Sequence, residues 1–166
     1  MGKLTEILKL ARERAERLGL PYAGALTPAE AWEVLQNAPG ARLVDVRTRA
    51  ELDWVGRVPG AVEIEWMLYP GNTPNPAFAQ QLRRAVDPES LVMFMCRSGV
   101  RSDKATRLAA ELGYGEAYNV LEGFEGDRDA NADRHAGSDH DADRDANGQR
   151  NRIGGWRHAG LPWTQS

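Results

Sequence analysis

The chain has 166 residues, 42% of them hydrophobic and 27% charged, with a formal net charge of -3, which suits one domain with a sizeable core. Arginine is abundant but matched by Asp and Glu, which argues against a nucleic-acid partner, and no apolar stretch approaches the ~20 residues of a membrane helix. The N-terminus lacks the apolar segment of a secretory signal and a single cysteine cannot close an internal disulfide, so a reducing compartment, the cytoplasm, is the expected location.

Leu4, Ile7, Leu8, Ala11, Ala15 and Leu18 fall on one helical stripe with Lys, Arg and Glu between them. Gly19 stops that helix and Leu20-Pro21 leads away. Residues 1–24 read as a helix and connector packed on a domain spanning 25–166. Thr27-Pro28-Ala29-Glu30 is a capping box with proline at the first helical position, and the helix it opens ends at Asn37-Ala38-Pro39-Gly40. Arg42 to Val46 reads as a short strand, Ala50 to Trp54 as one helical turn, and Val62 to Ile64 as a strand after the loop Val58-Pro59-Gly60-Ala61. A third helix is expected over Pro76 to Val86, and a last strand over Ala117 to Leu121. Strands alternating with helices imply an α/β fold with a mainly parallel sheet.

Between these lies the most informative stretch. The apolar run Leu91-Val92-Met93-Phe94-Met95 reads as a buried parallel strand. It leads into Cys96-Arg97-Ser98-Gly99-Val100-Arg101-Ser102, and a helical segment begins at Asp103. The thiol therefore stands at the carboxyl end of a strand, in a tight loop opening a helix, where open α/β sheets bind ligands. Helix N-termini attract anions, and both they and neighbouring guanidiniums favour thiolate over thiol. Arg97 and Arg101 flank the cysteine, and Gly99 lets the loop backbone bend inward.

Residues 127–147 differ in kind: alanine is the only hydrophobic residue type, with seven Asp against three Arg. Such a composition does not offset its ordering entropy, so a mobile loop is expected. Asp127-Arg128-Asp129-Ala130-Asn131 recurs as Asp143-Arg144-Asp145-Ala146-Asn147, offset by sixteen residues, the mark of a tandem expansion. Asp143-x-Asp145-x-Asn147-Gly148 matches the start of a calcium loop, but its twelfth position is Gly154 rather than a bidentate Glu, and no metal site is expected. After it, Ile153 to Trp156 and Gly160 to Trp163 restore apolar anchors.

From about Ala25 onward the chain resembles a single-domain rhodanese, the thiosulfate sulfurtransferase family. The likeness rests on three stretches. Leu43-Val44-Asp45-Val46-Arg47, with Glu51 after it, is similar to the family's early strand end. Gly56-Arg57-Val58-Pro59-Gly60-Ala61 is similar to its Pro-Gly turn, with Arg57 in place of the usual histidine, a departure peripheral to the chemistry. Cys96 to Ser102 resembles its active-site loop. The tail, Gly154-Gly155-Trp156 with Gly160-Leu161-Pro162, also resembles the end of such domains.

This resemblance implies a central parallel sheet flanked by helices. It further implies that Cys96 takes a sulfane sulfur from thiosulfate or a related small donor and passes it to cyanide or a thiol, without a cofactor. Arg97, Ser98, Gly99, Val100, Arg101 and Ser102 would cradle the added sulfur with their backbone. Arg97 and Arg101 are placed to bind the sulfonate of thiosulfate. Asp45 and Arg47 are expected to brace the sheet end rather than touch substrate. No general base is needed, since the thiolate is already the reactive form; His135, His140 and His158 lie in the loop or tail. Two other readings stay open. A cysteine phosphatase or arsenate reductase would carry arginine six positions after cysteine, whereas Arg101 is five after Cys96. A rhodanese-like module could instead carry sulfur or dock partners within a protein relay.

Overall fold

A computed structural model describes residues 2–126 and 155–165. In chain order its elements are α1 (Lys3–Leu18), β1 (Gly24–Leu26), α2 (Pro28–Asn37), β2 (Arg42–Asp45), α3 (Arg49–Val55) and β3 (Val62–Glu63). There follow β4 (Met67–Leu68), β5 (Thr73–Pro74), α4 (Phe78–Ala85), β6 (Val92–Met95), α5 (Val100–Glu111) and β7 (Ala117–Val120). Five strands make a parallel sheet in the order β1-β7-β6-β2-β3, while β4 and β5 form a separate antiparallel hairpin. The expected α/β class with a central parallel sheet flanked by helices is what the structure has.

The strand β6 shows why the apolar run is uninterrupted. Side chains alternate across a strand, and Met93 and Met95 enter the core layer that holds Ile7, Ala11 and Val34 of α1 and α2. Val92, Phe94 and Cys96 enter the opposite layer with Leu82 of α4 and Ala105 and Ala109 of α5. Both faces of the strand are covered, so every position is apolar. Each fully buried Phe or Met contributes roughly 1.5–3 kcal/mol of transfer free energy.

Local signals set the helix ends. Gly19 closes α1 in the left-handed region, φ 68°, and Thr27 and Glu30 form the reciprocal capping box of α2. Ile7, Ala11 and Ala15 are the buried face of α1, which packs on β1 and α2; Leu18, expected on that stripe, is instead exposed in its last turn. A second correction is β1 itself. The sequence reading ends its connector at Gly24 and assigns no strand before Thr27, but Gly24, Ala25 and Leu26 pair in parallel with Tyr118, Asn119 and Val120 of β7. A third is α3, which runs Arg49–Val55 rather than a single turn. The Asp-rich repeat, its calcium-like pattern, His135 and His140 lie outside the described residues, as does Gly154.

Candidate active site

Consecutive strands β2 and β3 step toward one sheet edge, whereas β6 and β7 step toward the other. The crevice at the carboxyl ends of β2 and β6 is therefore the topological switch point, where ligands enter such sheets. A cavity of about 510 Å³ opens there, lined by Thr48 and Glu51 after β2, by Cys96, Arg97, Ser98, Val100 and Arg101 after β6, and by Tyr69 and Asn72.

Cys96 is 1% exposed, and its Sγ accepts the Gly99 N–H at 3.1 Å. Gly99 is the N-cap of α5 at φ 106°, a conformation that side chains disfavour. Val100, Arg101 and Ser102 then open α5, and the first amides of a helix have no intrahelical acceptor. From behind, the cysteine loop is fixed by backbone: Phe124 N–H donates to the Cys96 carbonyl (2.8 Å) and Glu125 N–H to that of Arg97 (2.9 Å). This close approach needs Gly123, since a Cβ there would sit 2.5 Å from the Cys96 carbonyl oxygen. The Asn119 amide of β7 adds a third tie, donating to the Gly99 carbonyl at 3.3 Å.

The flanking arginines are not bare. Arg101 donates from Nη1 and Nη2 to both carboxylate oxygens of Glu51, at 2.6 and 2.8 Å. Burial opposes both charges. For Glu51, the hydrogen bonds and charge of Arg101, with the Thr48 N–H and Arg47, outweigh burial and hold its pKa at about 2. For Arg101, Glu51 together with Cys96 and Asp45 raises the pKa in spite of burial. Arg97 lies 3.8 Å from a Glu125 oxygen. Glu51 is also the capping residue of α3: Thr48 Oγ1 accepts its N–H at 3.2 Å, and its Oε1 accepts the Thr48 N–H at 3.0 Å.

The expected residues divide by place. Cys96, Arg97, Ser98, Val100 and Arg101 come together around the cavity. The Ser102 hydroxyl turns inward to Asn119 Oδ1 (2.6 Å), so only its backbone is at the helix opening. Gly99 contributes its N–H to sulfur. Asp45 and Arg47 stand outside the cavity as a fully buried pair, with Nη2 2.7 Å from Oδ2 and the guanidinium 4.2 Å above the Phe124 ring. Arg57 likewise does not line the cavity and binds Asp53 and Glu63. The sequence reading missed Tyr69, Asn72 and Asn119, and gave Thr48 no role. For Thr48 a signal existed: Thr48-x-x-Glu51 repeats the pattern of Thr27-x-x-Glu30. Among the described residues, no helix is long and apolar enough to cross a membrane.

Comparison with known proteins bears on the fold and the family. The chain is similar to the crystal structure of Rv0390 from M. tuberculosis, with a TM-score of 0.72 and 40% identity, covering 87% of this chain and 99% of that one. It is 30% identical over 136 residues to an uncharacterized protein of Rickettsia rickettsii, covering 81% of this chain and 91% of the relative. A Haemophilus influenzae protein named thiosulfate sulfurtransferase GlpE is 29% identical over 101 residues, 61% of this chain and 84% of that protein. The model of the rhodanese-like domain matches residues 27–130, from the cap of α2 past the cysteine loop and β7. The chain belongs to the rhodanese-like domain family.

Proposed function

We propose that the protein is a sulfurtransferase working through a Cys96 persulfide. The observation that carries this reading is the Cys96 sulfur held at the opening of α5, with the Gly99 N–H at 3.1 Å, inside a cavity at the sheet's switch point. In the first half-reaction the Cys96 thiolate attacks the outer sulfur of thiosulfate. The sulfur–sulfur bond of the donor breaks, its electron pair leaves with sulfite, and Cys96 becomes an anionic persulfide. In the second, an acceptor such as cyanide attacks the outer sulfur and departs as thiocyanate, returning the thiolate. Both negative sulfurs fall where preorganised N–H donors stabilise charge without reorganisation. Arg97 and Arg101 draw the dianionic donor electrostatically; Arg101 does so as a fixed charge braced by Glu51 rather than as a free fork.

A phosphatase reading is disfavoured by the same contacts, since a guanidinium that must wrap three phosphoryl oxygens is here directed at Glu51. The test is intact mass spectrometry after incubation with thiosulfate. One added sulfur on wild type and none on Cys96→Ser is expected, with sulfur transfer to cyanide abolished in that variant. Near wild-type transfer by Cys96→Ser, or robust phosphate-ester hydrolysis dependent on Cys96, would overturn the reading.

A further inference from the structure

An amide stands where the sheet calls for an apolar side chain. β7 is Ala117-Tyr118-Asn119-Val120, all four residues buried, between β1 and β6. An interior parallel strand covered on both faces is expected to be apolar throughout, yet Asn119 is only 3% exposed. Its register partner on β6 is Phe94, which belongs to the layer shared with α5. Burying an amide there costs free energy unless its polar atoms are all used.

They are used on the cysteine loop and the helix it opens. The Gly99 carbonyl can only accept, so the NH2 group of Asn119 must face it, and does so at 3.3 Å. Oδ1 is then left to accept the Ser102 hydroxyl, at 2.6 Å. The Gly99 carbonyl takes a second donor, the Asp103 N–H of α5 at 3.1 Å, so both of its lone pairs are filled. A trans peptide is planar, and its N–H points opposite to its C=O. A Gly99 carbonyl held from behind therefore turns the Val100 N–H the other way, out of the start of α5, where it has no intrahelical acceptor. Val100 lines the cavity together with Cys96, and the preceding amide, that of Gly99, already meets Sγ at 3.1 Å. Glycine at φ 106° does not fix its own conformation. The constraint comes from Asn119.

We infer that Asn119, latched by Ser102, is a positioning residue of the sulfur site: it sets the Gly99–Val100 peptide so that the amides opening α5 face the charged Cys96 sulfur. This rests on the sulfur transfer proposed above, because the charge carried by thiolate and persulfide is what those amides answer. Asn119 does not line the cavity and acts through Gly99. Removing its amide leaves Arg97 and Arg101, which draw the donor, in place and takes away the preorganisation of the backbone alone.

The test compares Asn119→Ala and Ser102→Ala, in the full chain, with Thr106→Val. That control removes another buried hydroxyl of α5, whose bond goes to the Ser102 carbonyl (2.6 Å) rather than to Asn119. Cooperative urea unfolding first shows which variants fold. Alkylation of Cys96 by iodoacetamide, a neutral reagent, then reads the reactivity of the sulfur without thiosulfate. At neutral pH it is expected to slow about three- to tenfold in Asn119→Ala, by less in Ser102→Ala, and to match wild type in Thr106→Val. A merely loosened loop would do the reverse, since Cys96 is 1% exposed and opening would speed the reagent's access. With thiosulfate, kcat should fall in Asn119→Ala by a similar factor while KM holds. Unchanged or faster alkylation in Asn119→Ala, a loss confined to KM, or equal slowing in Thr106→Val would overturn the role of Asn119. Should Asn119→Ala not fold, the same outcomes in Ser102→Ala decide. Mass spectrometry of the same preparations separates the two claims: a missing sulfur increment on wild-type Cys96 counts against sulfur transfer, whereas the alkylation rates judge Asn119 on their own.

Discussion

Arg101 directs both arms of its guanidinium at Glu51, fifty residues earlier in the chain, in a two-point pair at 2.6 and 2.8 Å on the wall of the Cys96 cavity. Glu51 is at the same time the reciprocal cap of α3. The loop after β2 and the loop after β6 are thus joined by one carboxylate, and the charge beside the cysteine is held by a partner already fixed by its own helix.

Arg101→Ala is expected to weaken thiosulfate use more than Arg101→Lys, because both lose the two-point geometry but only Ala removes the charge. A charge-assisted bond is worth roughly 1.5–3 kcal/mol, about ten- to a hundredfold in kcat/KM if it acts in the transition state. Steady-state kinetics on both variants measure this. Unchanged kinetics for Arg101→Ala would leave the residue a purely structural partner of Glu51, and an equal loss in Arg97→Ala would show that the two guanidiniums share the donor.

The pair also sets an acid limit. Glu51 titrates at about 2 in the folded chain, below its ordinary value, so it binds protons more readily when unfolded. Its contribution is therefore complete above about pH 4.5 and is lost as the pH falls toward 2, up to about 3 kcal/mol in all. Glu51→Gln cannot titrate. Urea unfolding from pH 6 to pH 2.5 should show the variant less stable than wild type at pH 6, with the gap closing as acid is added. A gap independent of pH would place the carboxylate's role in shape rather than charge.

Asp45 and Arg47 call for the opposite kind of experiment, because both side chains are wholly buried. Arg47 donates to both Asp45 oxygens and to the Gly56 carbonyl (2.8 Å) while stacking on Phe124. Asp45→Asn strands a buried cation and is expected to cost about 3–5 kcal/mol in chemical denaturation. The double replacement Asp45→Leu with Arg47→Met should recover much of that loss, since it leaves no buried charge unpaired. A double variant as unstable as the sum of its singles would mean that the pair does more than neutralise itself.

What was legible in the sequence was local. The cap Thr27 to Glu30, the stop at Gly19 and the run into Cys96 each depend on neighbours within a few residues, and the structure carries all three. What was not legible depends on distant chain. Gly24-Ala25-Leu26 has little strand character of its own and becomes β1 only because β7 offers it a parallel edge. The β4–β5 turn consists of two-residue strands with a proline, and nothing in its spacing says that Tyr69 will line the cavity of Cys96. The grip of Glu51 on Arg101 was hidden for the same reason, although the cap that holds Glu51 was readable. Of the flanking charges, the sequence told the type and the neighbourhood, not the partner.

The repeated acidic unit permits a clean deletion. Removing Ala132 to Asn147 joins Asn131 to Gly148, so the first Asp-Arg-Asp-Ala-Asn replaces the second at an equivalent point. The described residues on either side already meet: a Cβ on Gly155 would lie 2.5 Å from the Gly126 nitrogen. A segment whose two ends start in contact does not need its length to span a gap. Loop-closure entropy changes only logarithmically with length, so a shift of about 1 kcal/mol or less in unfolding free energy is expected, toward greater stability if anything. The Trp156 anchor, whose backbone N–H donates to Gly123 at 2.8 Å and whose ring packs on Trp32, is untouched, and sulfur transfer should match wild type. Thermal unfolding with and without calcium completes the experiment. A melting temperature lowered by many degrees, or a calcium-dependent rise that disappears with the deletion, would show that the acidic repeat is an ordered site rather than an expanded connection.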